Sequence, residues 1–234
     1  MLRRRTRVDT VIGPLGVPVV VQRTNRKKTV GIIVENGGVR IRAPKRLANW
    51  RMQELIDERT EWISAKLRLQ AERTRQLARR YVNDESFVFL GETYRLKIVD
   101  DQDRLIAIED DCLVAPRSCD HATHIKAWYR HQAETVLGET TDRFAVLMGV
   151  VPRSVAVREY KSQWGSCNSR GDIRYNSRLV MAPAEVIDYV VVHELGHLLH
   201  LNHSSQYWER VGEILPDHRA RRKWLRKYGS TLQI

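Results

Sequence analysis

Residues 190–203 read VVVHELGHLLHLNH, and this stretch decides both the local fold and the candidate chemistry. It contains the pattern H-E-x-x-H, in which His193 and His197 are separated by one helical turn. On a helix, that spacing places both imidazoles on one face, where they can share a zinc ion. Glu194 lies about 100° around such a helix from His193, beside the ion rather than on it. We therefore predict that Glu194 is the general base for water activated by zinc.

The residues before the motif indicate a buried helix. Pro183 suits the first helical turn, and Glu185 favours the positive end of the helix dipole. Aliphatic side chains then form an apolar back to the helix: Val186, Ile187, Val190 and Val191. The short pattern therefore stands in a context that suits a metal site better than two ordinary helical histidines.

A catalytic zinc site needs a third protein ligand, and further histidines follow the motif. His200 lies on the same face as His193, but about 10.5 Å further along a straight helix, so we assign it to capping the helix end. His203 follows His197 and reaches the metal if the chain turns at Leu201-Asn202, since Asn tolerates the left-handed conformation. The predicted ligands of Zn²⁺ are therefore His193, His197 and His203.

The ligand spacing H-E-x-x-H-x-x-x-x-x-H is shared with metzincin peptidases, but two of their supporting features differ here. They place Gly where this chain has His200, and they need a methionine turn after the third histidine. All four methionines of this chain precede the motif. The ligand set therefore resembles that of the metzincins, but this chain lacks the glycine and the methionine turn that support their fold. The alternative third ligand is a carboxylate on the next helix, Glu209 or Glu213.

Outward from the motif, the hydrophobic pattern predicts an α+β fold. Three-and-four spacing indicates long helices over residues 47–80 and 121–148. Residues 29–35 and 39–43 flank Asn36-Gly37-Gly38, a strong hairpin signal. Further strands are predicted at residues 17–22, 87–90, 93–99, 105–114, 154–160 and 172–181.

We divide the chain at the change from strand-rich to helical sequence. Residues 1–116 are predicted to form a strand-rich N-terminal region with one long helix. Residues 117–234 are predicted to form a zincin-like domain, with the H-E-x-x-H helix beside a small antiparallel sheet. One continuous globular unit is the alternative.

Composition narrows the class of protein. Of the 234 residues, 42% are hydrophobic, which is enough for a sizeable core and too many for a disordered chain. Three cysteines without a C-x-x-C pair predict reduced thiols rather than a disulfide scaffold. No run approaches the roughly 18 apolar residues of a membrane span. Residues 11–21 are apolar and follow a basic segment, as in a signal peptide, but prolines interrupt them. We therefore expect two strands around a turn at residues 13–16. We also expect a cytoplasmic protein.

The net charge of +12 is informative about binding partners and not about the fold. Cations cluster at residues 3–7, 23–28, 66–80 and 219–227, which makes nucleic acid or a nucleotide a candidate partner beside a peptide or protein substrate. For the cluster at residues 66–80, the plainer alternative is a solvated helix end, since cations at a helix C-terminus complement its dipole.

Segments on both sides of the motif resemble the YgjP-like metal-dependent hydrolases. The resemblance rests on KSQWGSC at residues 161–167, NSRLV at 176–180, NHS at 202–204 and RRKWL at 221–225, and on RKKTV, RAP and GETY at residues 26–30, 42–44 and 91–94. It covers nearly the whole chain and is most specific in the C-terminal third. It implies a zinc metallopeptidase with the three-histidine site and Glu194 as the catalytic residue, and kinship with the SprT-like and WLM proteases that act on DNA-bound protein.

The resemblance also implies where a substrate binds. In related peptidases, a strand beside the zinc helix pairs with an extended substrate. We expect residues 172–180 to form that edge, with Gly165 allowing close approach of the backbone, and a packed turn at residues 164–167 is the alternative. In the basic tail at residues 219–227, the favoured interpretation is a terminal helix that packs through Trp224 and Leu225, and the alternative is that Arg222 or another cation binds an anionic group of the substrate. The predicted substrate-binding residues are Trp164, Gly165, Ser166 and Arg222.

These features favour a zinc-dependent hydrolase of peptide bonds. The first alternative is a metal-dependent nucleotide phosphoanhydride hydrolase, a pyrophosphatase, although the sequence has no Gly-rich phosphate loop. The second is a DNA-associated protease that acts on DNA-bound protein, which the basic clusters motivate. Cys167 is not expected to act as ligand or nucleophile, since three histidines already satisfy a catalytic zinc.

Overall fold

The structure is a computed structural model that describes residues 8–12, 16–26, 29–35, 37–77 and 79–234. The chain divides into two compact units, Met1–Ala78 and Arg79–Ile234. Each unit has its own apolar core, and the architecture is α+β, as predicted. The basic residues 3–7, most of the turn at residues 13–16, Lys27, Lys28 and Asn36 lie outside the described residues. Among the described residues, no helix has both the length and the apolar character to cross a membrane.

The first unit is a four-stranded sheet with two helices. Its elements are β1 (Val8–Ile12), β2 (Pro18–Thr24), β3 (Gly31–Glu35), β4 (Gly38–Pro44), α1 (Asn49–Asp57) and α2 (Thr60–Leu77). The strand order is β1-β2-β4-β3, with β2 and β4 parallel and the other pairs antiparallel. The predicted hairpin is confirmed as β3 and β4. Alternate residues of β2 and β4 are buried in one core with residues from both helices.

The predicted helix over residues 47–80 is two helices. The amide of Arg59 donates to the carbonyl of Ile56, three residues back, instead of continuing the four-residue pattern. This tight turn at Glu58-Arg59 ends α1 and precedes α2. The break keeps Met52 and Ile56 of α1 and Ile63 of α2 in the same core.

The second unit begins with another four-stranded sheet. Its strands are β5 (Ser86–Phe89), β6 (Glu92–Val99), β7 (Ala107–Glu109) and β8 (Cys112–Pro116), in the order β5-β6-β8-β7. The predicted single strand over residues 105–114 is therefore a hairpin, because Asp110 turns the chain with a φ of 52°. The sheet shares one core with the helices that follow it. Along the chain, the first compact unit ends at residue 78 and the second begins at residue 79, whereas the predicted division lies between residues 116 and 117.

The long helix α3 (His121–Met148) has the predicted bounds and ends at Gly149 with a φ of 65°, the left-handed cap that glycine adopts easily. A three-stranded sheet follows, with β9 (Ser154–Arg158), β10 (Gly165–Cys167) and β11 (Asp172–Asn176) in the order β10-β11-β9. The prediction of an antiparallel sheet was wrong in part, because β10 pairs antiparallel with β11 but β9 pairs parallel with it. The sheet is therefore mixed.

The predicted edge strand over residues 172–180 is wrong, because β11 is the central strand and β10 is at the edge. The strand ends at Asn176, and a 3-10 helix (Ser177–Met181) replaces its predicted second half. The buried Asn176 side chain causes this ending. Its Nδ2 donates to the carbonyls of Tyr160 and Gln163, each at 2.9 Å, and its Oδ1 accepts from the amide of Arg178.

Three α-helices follow, α4 (Ala184–Leu199), α5 (Ser205–Ile214) and α6 (His218–Tyr228), and a short 3-10 helix (Gly229–Thr231) comes after α6. The aliphatic residues Val186, Ile187, Val190 and Val191 bury α4 in the core, as the sequence predicted. Helix α4 contacts α3, α5, α6 and β10. The helix that carries the motif is thus held from several sides by the rest of its unit.

Candidate metal centre and substrate cleft

Three histidines converge at the end of α4. Helix periodicity places His193 and His197 one turn apart, and the segment before α5 brings His203 against them. One ring nitrogen of each histidine lies within 4.8 Å of the others, and the Nε2 atoms of His193 and His203 are 3.2 Å apart. The reversal starts at His200, which caps α4 in an extended conformation. The sequence predicted a left-handed turn at Asn202, but the φ angle of Asn202 is not positive.

The hydrogen bonds of the outer ring nitrogens orient the first two histidines. The Tyr207 hydroxyl donates to the carbonyl of His193 at 2.7 Å and lies 2.6 Å from the Nδ1 of the same residue. Since a hydroxyl has one hydrogen, it accepts from Nδ1–H and leaves the Nε2 lone pair of His193 free. The Nδ1 of His197 lies 3.2 Å from the carbonyl of His200, which as an acceptor fixes the ring in the same way. Such outer partners are typical of histidines that bind metals.

The donor set fits a zinc ion. Burial, together with the charges of its neighbours, lowers the pKa of His193 to about 3, and burial also lowers the pKa of His197. Neutral imidazoles with free Nε2 atoms are the form in which histidine binds metals. Three histidine ligands are the protein share of one class of catalytic zinc site. His193, His197 and His203 are therefore the residues that could hold the metal.

Glu194 lies beside this group, packed against the edge strand. Its side chain is buried, and a Cβ built on Gly165 would lie 2.5 Å from its Oε1. Gly165 therefore allows the carboxyl group to sit directly on the backbone of β10. Burial raises the pKa of Glu194 to about 8, and a cation bound by the histidines would act in the opposite direction.

Tyr207 is a site residue that sequence reasoning missed. It is fully buried, on α5, and it contacts the rings of all three histidines at centroid distances of 4.9 to 5.4 Å. Room for its ring comes from Gly196, where a Cβ would lie 2.9 Å from Tyr207 Cε2. No local pattern could reveal it, because Tyr207 and His193 are 14 residues apart on different helices.

Two cavities, together termed the cleft, lie near the two ends of β10, and each is lined by at least one of the three histidines. At the Gly165 end is a cavity of about 450 Å³. At the Cys167 end is a groove of about 530 Å³, bordered by the turn before β11 and by the end of α4. The residues that line the cavity are Trp164, Gly165, Tyr189, Val190, His193, Glu194, His203, Trp208, Arg222 and Leu225.

Comparison with protein families agrees with this geometry. The family model described as "YgjP-like, metallopeptidase domain" matches residues 28–228. The chain belongs to the YgjP-like family. A YgjP-like chain with a metallopeptidase domain is a metal-dependent peptidase, and the three-histidine group is where such a metal could bind.

One solved structure that the YgjP-like chain resembles is the metallopeptidase zymogen of Pyrococcus abyssi abylysin, at 22% identity over 40% of this chain and 93% of that chain, with a TM-score of 0.36. No curated protein matches the chain.

The predicted substrate-binding residues of the YgjP-like chain are only partly brought together. Trp164, Gly165 and Arg222 line the cavity, whereas Ser166 lies opposite Arg174 in the middle of β10 and does not line it. Trp164 also packs inside the unit, because a Cβ on Gly229 would lie 2.9 Å from its ring. The segment 164–167 is thus an edge strand with a packed tryptophan at its start.

In the described part of the chain, the residues weighed as alternative metal ligands do not belong to the three-histidine group. Glu213 forms an ion pair with Arg210 at 2.7 Å, and neither Glu213 nor Glu209 belongs to the metal-binding group of the described residues. Burial and the nearby carboxylates raise the pKa of Cys167 to about 11, so it is a thiol and not a thiolate. His200 caps α4, as predicted, and contributes through its carbonyl.

Proposed function

We propose that this YgjP-like protein is a zinc metallopeptidase with a zincin-like site, in which His193, His197 and His203 bind Zn²⁺ and Glu194 is the general base. One observation carries the proposal. The three imidazoles face one point beside a buried carboxyl group, and both lie next to a strand whose outer edge pairs with no other described strand. A nucleophile site and a peptide-binding edge are thereby adjacent.

The chemistry divides between the metal and the protein. A zinc ion held by His193, His197 and His203 would supply Lewis acidity for acidifying a water molecule and polarising the carbonyl of the substrate. The Glu194 carboxylate takes the proton from the attacking water and passes it to the nitrogen of the leaving amine. Its buried position against Gly165 shields this transfer from bulk solvent.

The remaining groups hold the reactants in place. The Tyr207 hydroxyl and the His200 carbonyl keep the rings of His193 and His197 oriented. We propose that β10 binds an extended peptide by adding it as a further strand of the sheet, in the mode known as β-augmentation. Such backbone pairing brings the peptide bond to the histidines without requiring a particular side chain.

The proposal is tested by metal content and by turnover. We expect the purified protein to contain stoichiometric zinc and to cleave members of a peptide panel. In Glu194→Gln the zinc should stay and turnover should be lost, and in His203→Ala the zinc should be lost. His131→Ala, which changes an exposed histidine on α3, is the matched control and should retain both.

The outcomes separate the possible functions. Zinc retained in His203→Ala, or turnover retained in Glu194→Gln, would remove those residues from the proposed roles. If the wild type hydrolysed nucleoside triphosphates and no peptide, and lost this activity in Glu194→Gln, the site would be that of a phosphoanhydride hydrolase. Adding duplex DNA to the panel at low and high salt tests the DNA-associated alternative, since such binding weakens steeply with salt.

A further inference from the structure

We propose that the cleft selects peptides that carry a carboxylate on the C-terminal side of the cleaved bond, and that Arg222 recognises this carboxylate. The inference rests on the peptidase function proposed above. Arg222 lines the same 450 Å³ cavity as His193 and Glu194. A group that binds Arg222 is thus in the same cavity as the reaction site.

The guanidinium of Arg222 is held over an aromatic ring of the site. Its central carbon lies 5.0 Å from the ring centroid of Trp208, a cation–π arrangement. Trp208 in turn stacks on His203, with centroids 5.5 Å apart and an angle of 19° between the rings. The ring of Trp208 thus lies between the guanidinium of Arg222 and the imidazole of His203.

Within the described part of the chain, Arg222 forms no ion pair with a carboxylate. Its neighbour Arg221 forms ion pairs with Asp217 and Asp188, at 2.8 Å and 3.7 Å. No described carboxylate lies within ion-pair distance of Arg222. An arginine fork that faces a cavity without an acidic partner is suited to a carboxylate from outside the chain.

The direction of the substrate follows from the direction of β10. Gly165 lies against Glu194, and Gly171, in the turn before β11, lies against Leu198. The residue numbers of β10 and α4 therefore increase together, from the cavity towards the groove at the Cys167 end. A peptide added antiparallel, the more stable form of pairing, runs the opposite way. Its residues after the cleaved bond then enter the cavity that contains Arg222.

The carboxylate has two possible sources, an acidic side chain or the free C-terminus of a peptide. The experiment uses two libraries of decapeptides containing Asp, Asn, Glu, Gln, Lys and Arg at random positions, one with amidated and one with free C-termini. Mass spectrometry identifies the cleaved bonds. For an acidic side chain, we expect Asp and Glu to be enriched after the cleaved bond by about 10-fold over Asn and Gln in both libraries. For a C-terminal carboxylate, we expect cleavage near free C-termini only.

Variants then assign the preference to Arg222. Arg222→Gln should lose it, Arg222→Lys should keep part of it, and Arg222→Glu should shift it towards Lys and Arg. Lys223→Gln removes an exposed cation from the next position of α6 and should keep the full preference. A binding measurement needs no turnover: an acidic peptide should bind Glu194→Gln about 10-fold more weakly when Arg222→Gln is added.

Each possible result supports or contradicts the role of Arg222. Identical cleavage patterns for the wild type and Arg222→Gln, or acidic residues enriched before the cleaved bond, would overturn the inference while leaving the peptidase function intact. If the wild type cleaves no peptide of either library, the peptidase function fails together with the inference. Zinc content and the melting temperature of each variant show that a lost preference does not reflect lost folding.

Discussion

A methyl group added at Gly165 has no room beside the proposed general base. The new Cβ of Gly165→Ala would lie 2.5 Å from Oε1 of Glu194, 2.7 Å from its Cγ and 2.8 Å from its Cδ. Non-bonded carbon atoms pack at about 3.5–4.0 Å, so the two groups must separate by about 1 Å. Because Gly165 is held in the sheet by its pairing with Tyr175, we expect the Glu194 side chain to move.

The magnitude follows from this displacement. Misplacing a catalytic group by about 1 Å costs about 100-fold in rate, so we expect kcat/KM on a peptide substrate to fall by about that factor. Overpacking should also lower the free energy of unfolding by about 1–3 kcal/mol. The three nearest atoms to the new Cβ all belong to Glu194, so the zinc content should equal that of the wild type.

The assay combines peptide turnover, zinc content and urea denaturation. Gly138→Ala on α3 is the matched control, because a Cβ there meets nothing within 4 Å, and it should stabilise the protein by about 0.5–1 kcal/mol. Combining Gly165→Ala with Glu194→Ala removes the clashing atoms, so the destabilisation should then disappear. Turnover within about 3-fold of the wild type, or equal destabilisation in both backgrounds, would refute the close contact as the cause.

Two further predictions concern buried hydrogen bonds. Tyr207→Phe leaves the Nδ1–H and carbonyl of His193 without their partner, so zinc affinity measured against a chelator should fall about 10–100-fold. Tyr175→Phe, which loses a hydrogen bond to Thr141 instead, should leave the affinity unchanged, and equal affinities in both variants would contradict the role of Tyr207. Asn176→Ala removes two bonds to the segment 160–163 and the cap of the 3-10 helix. It should lower the free energy of unfolding by about 3 kcal/mol in urea, and a change below about 1 kcal/mol would contradict this.

The elements with a strong local pattern were predictable from the sequence. The bounds of α3 agree with the prediction, because its apolar face repeats over the whole helix and Gly149 supplies a left-handed end. The hairpin of β3 and β4 followed from its turn residues. Periodicity and turn chemistry act over a few neighbouring residues, so one sequence is enough to recognise them.

The predictions failed where distant groups decide an element. The strand over residues 172–181 was expected to continue, but the side chain of Asn176 bonds to carbonyls 13 and 16 residues away and ends it. For the same reason the edge of the small sheet was assigned to the wrong strand. The short β10 has three residues and no period that a sequence could show, and only its pairing with β11 identifies it.

The sequence by itself determined the pair His193 and His197 with Glu194 beside them, because one helix sets the angles and spacings of all three. It also indicated His203 as the third histidine, through its distance along the chain. Only the tertiary structure determines that His203 contacts His193, that the Tyr207 hydroxyl orients His193, and that Gly165 leaves room for the Glu194 side chain. Each of these contacts joins separate elements, and the distance between elements depends on the packing of the core rather than on any local pattern.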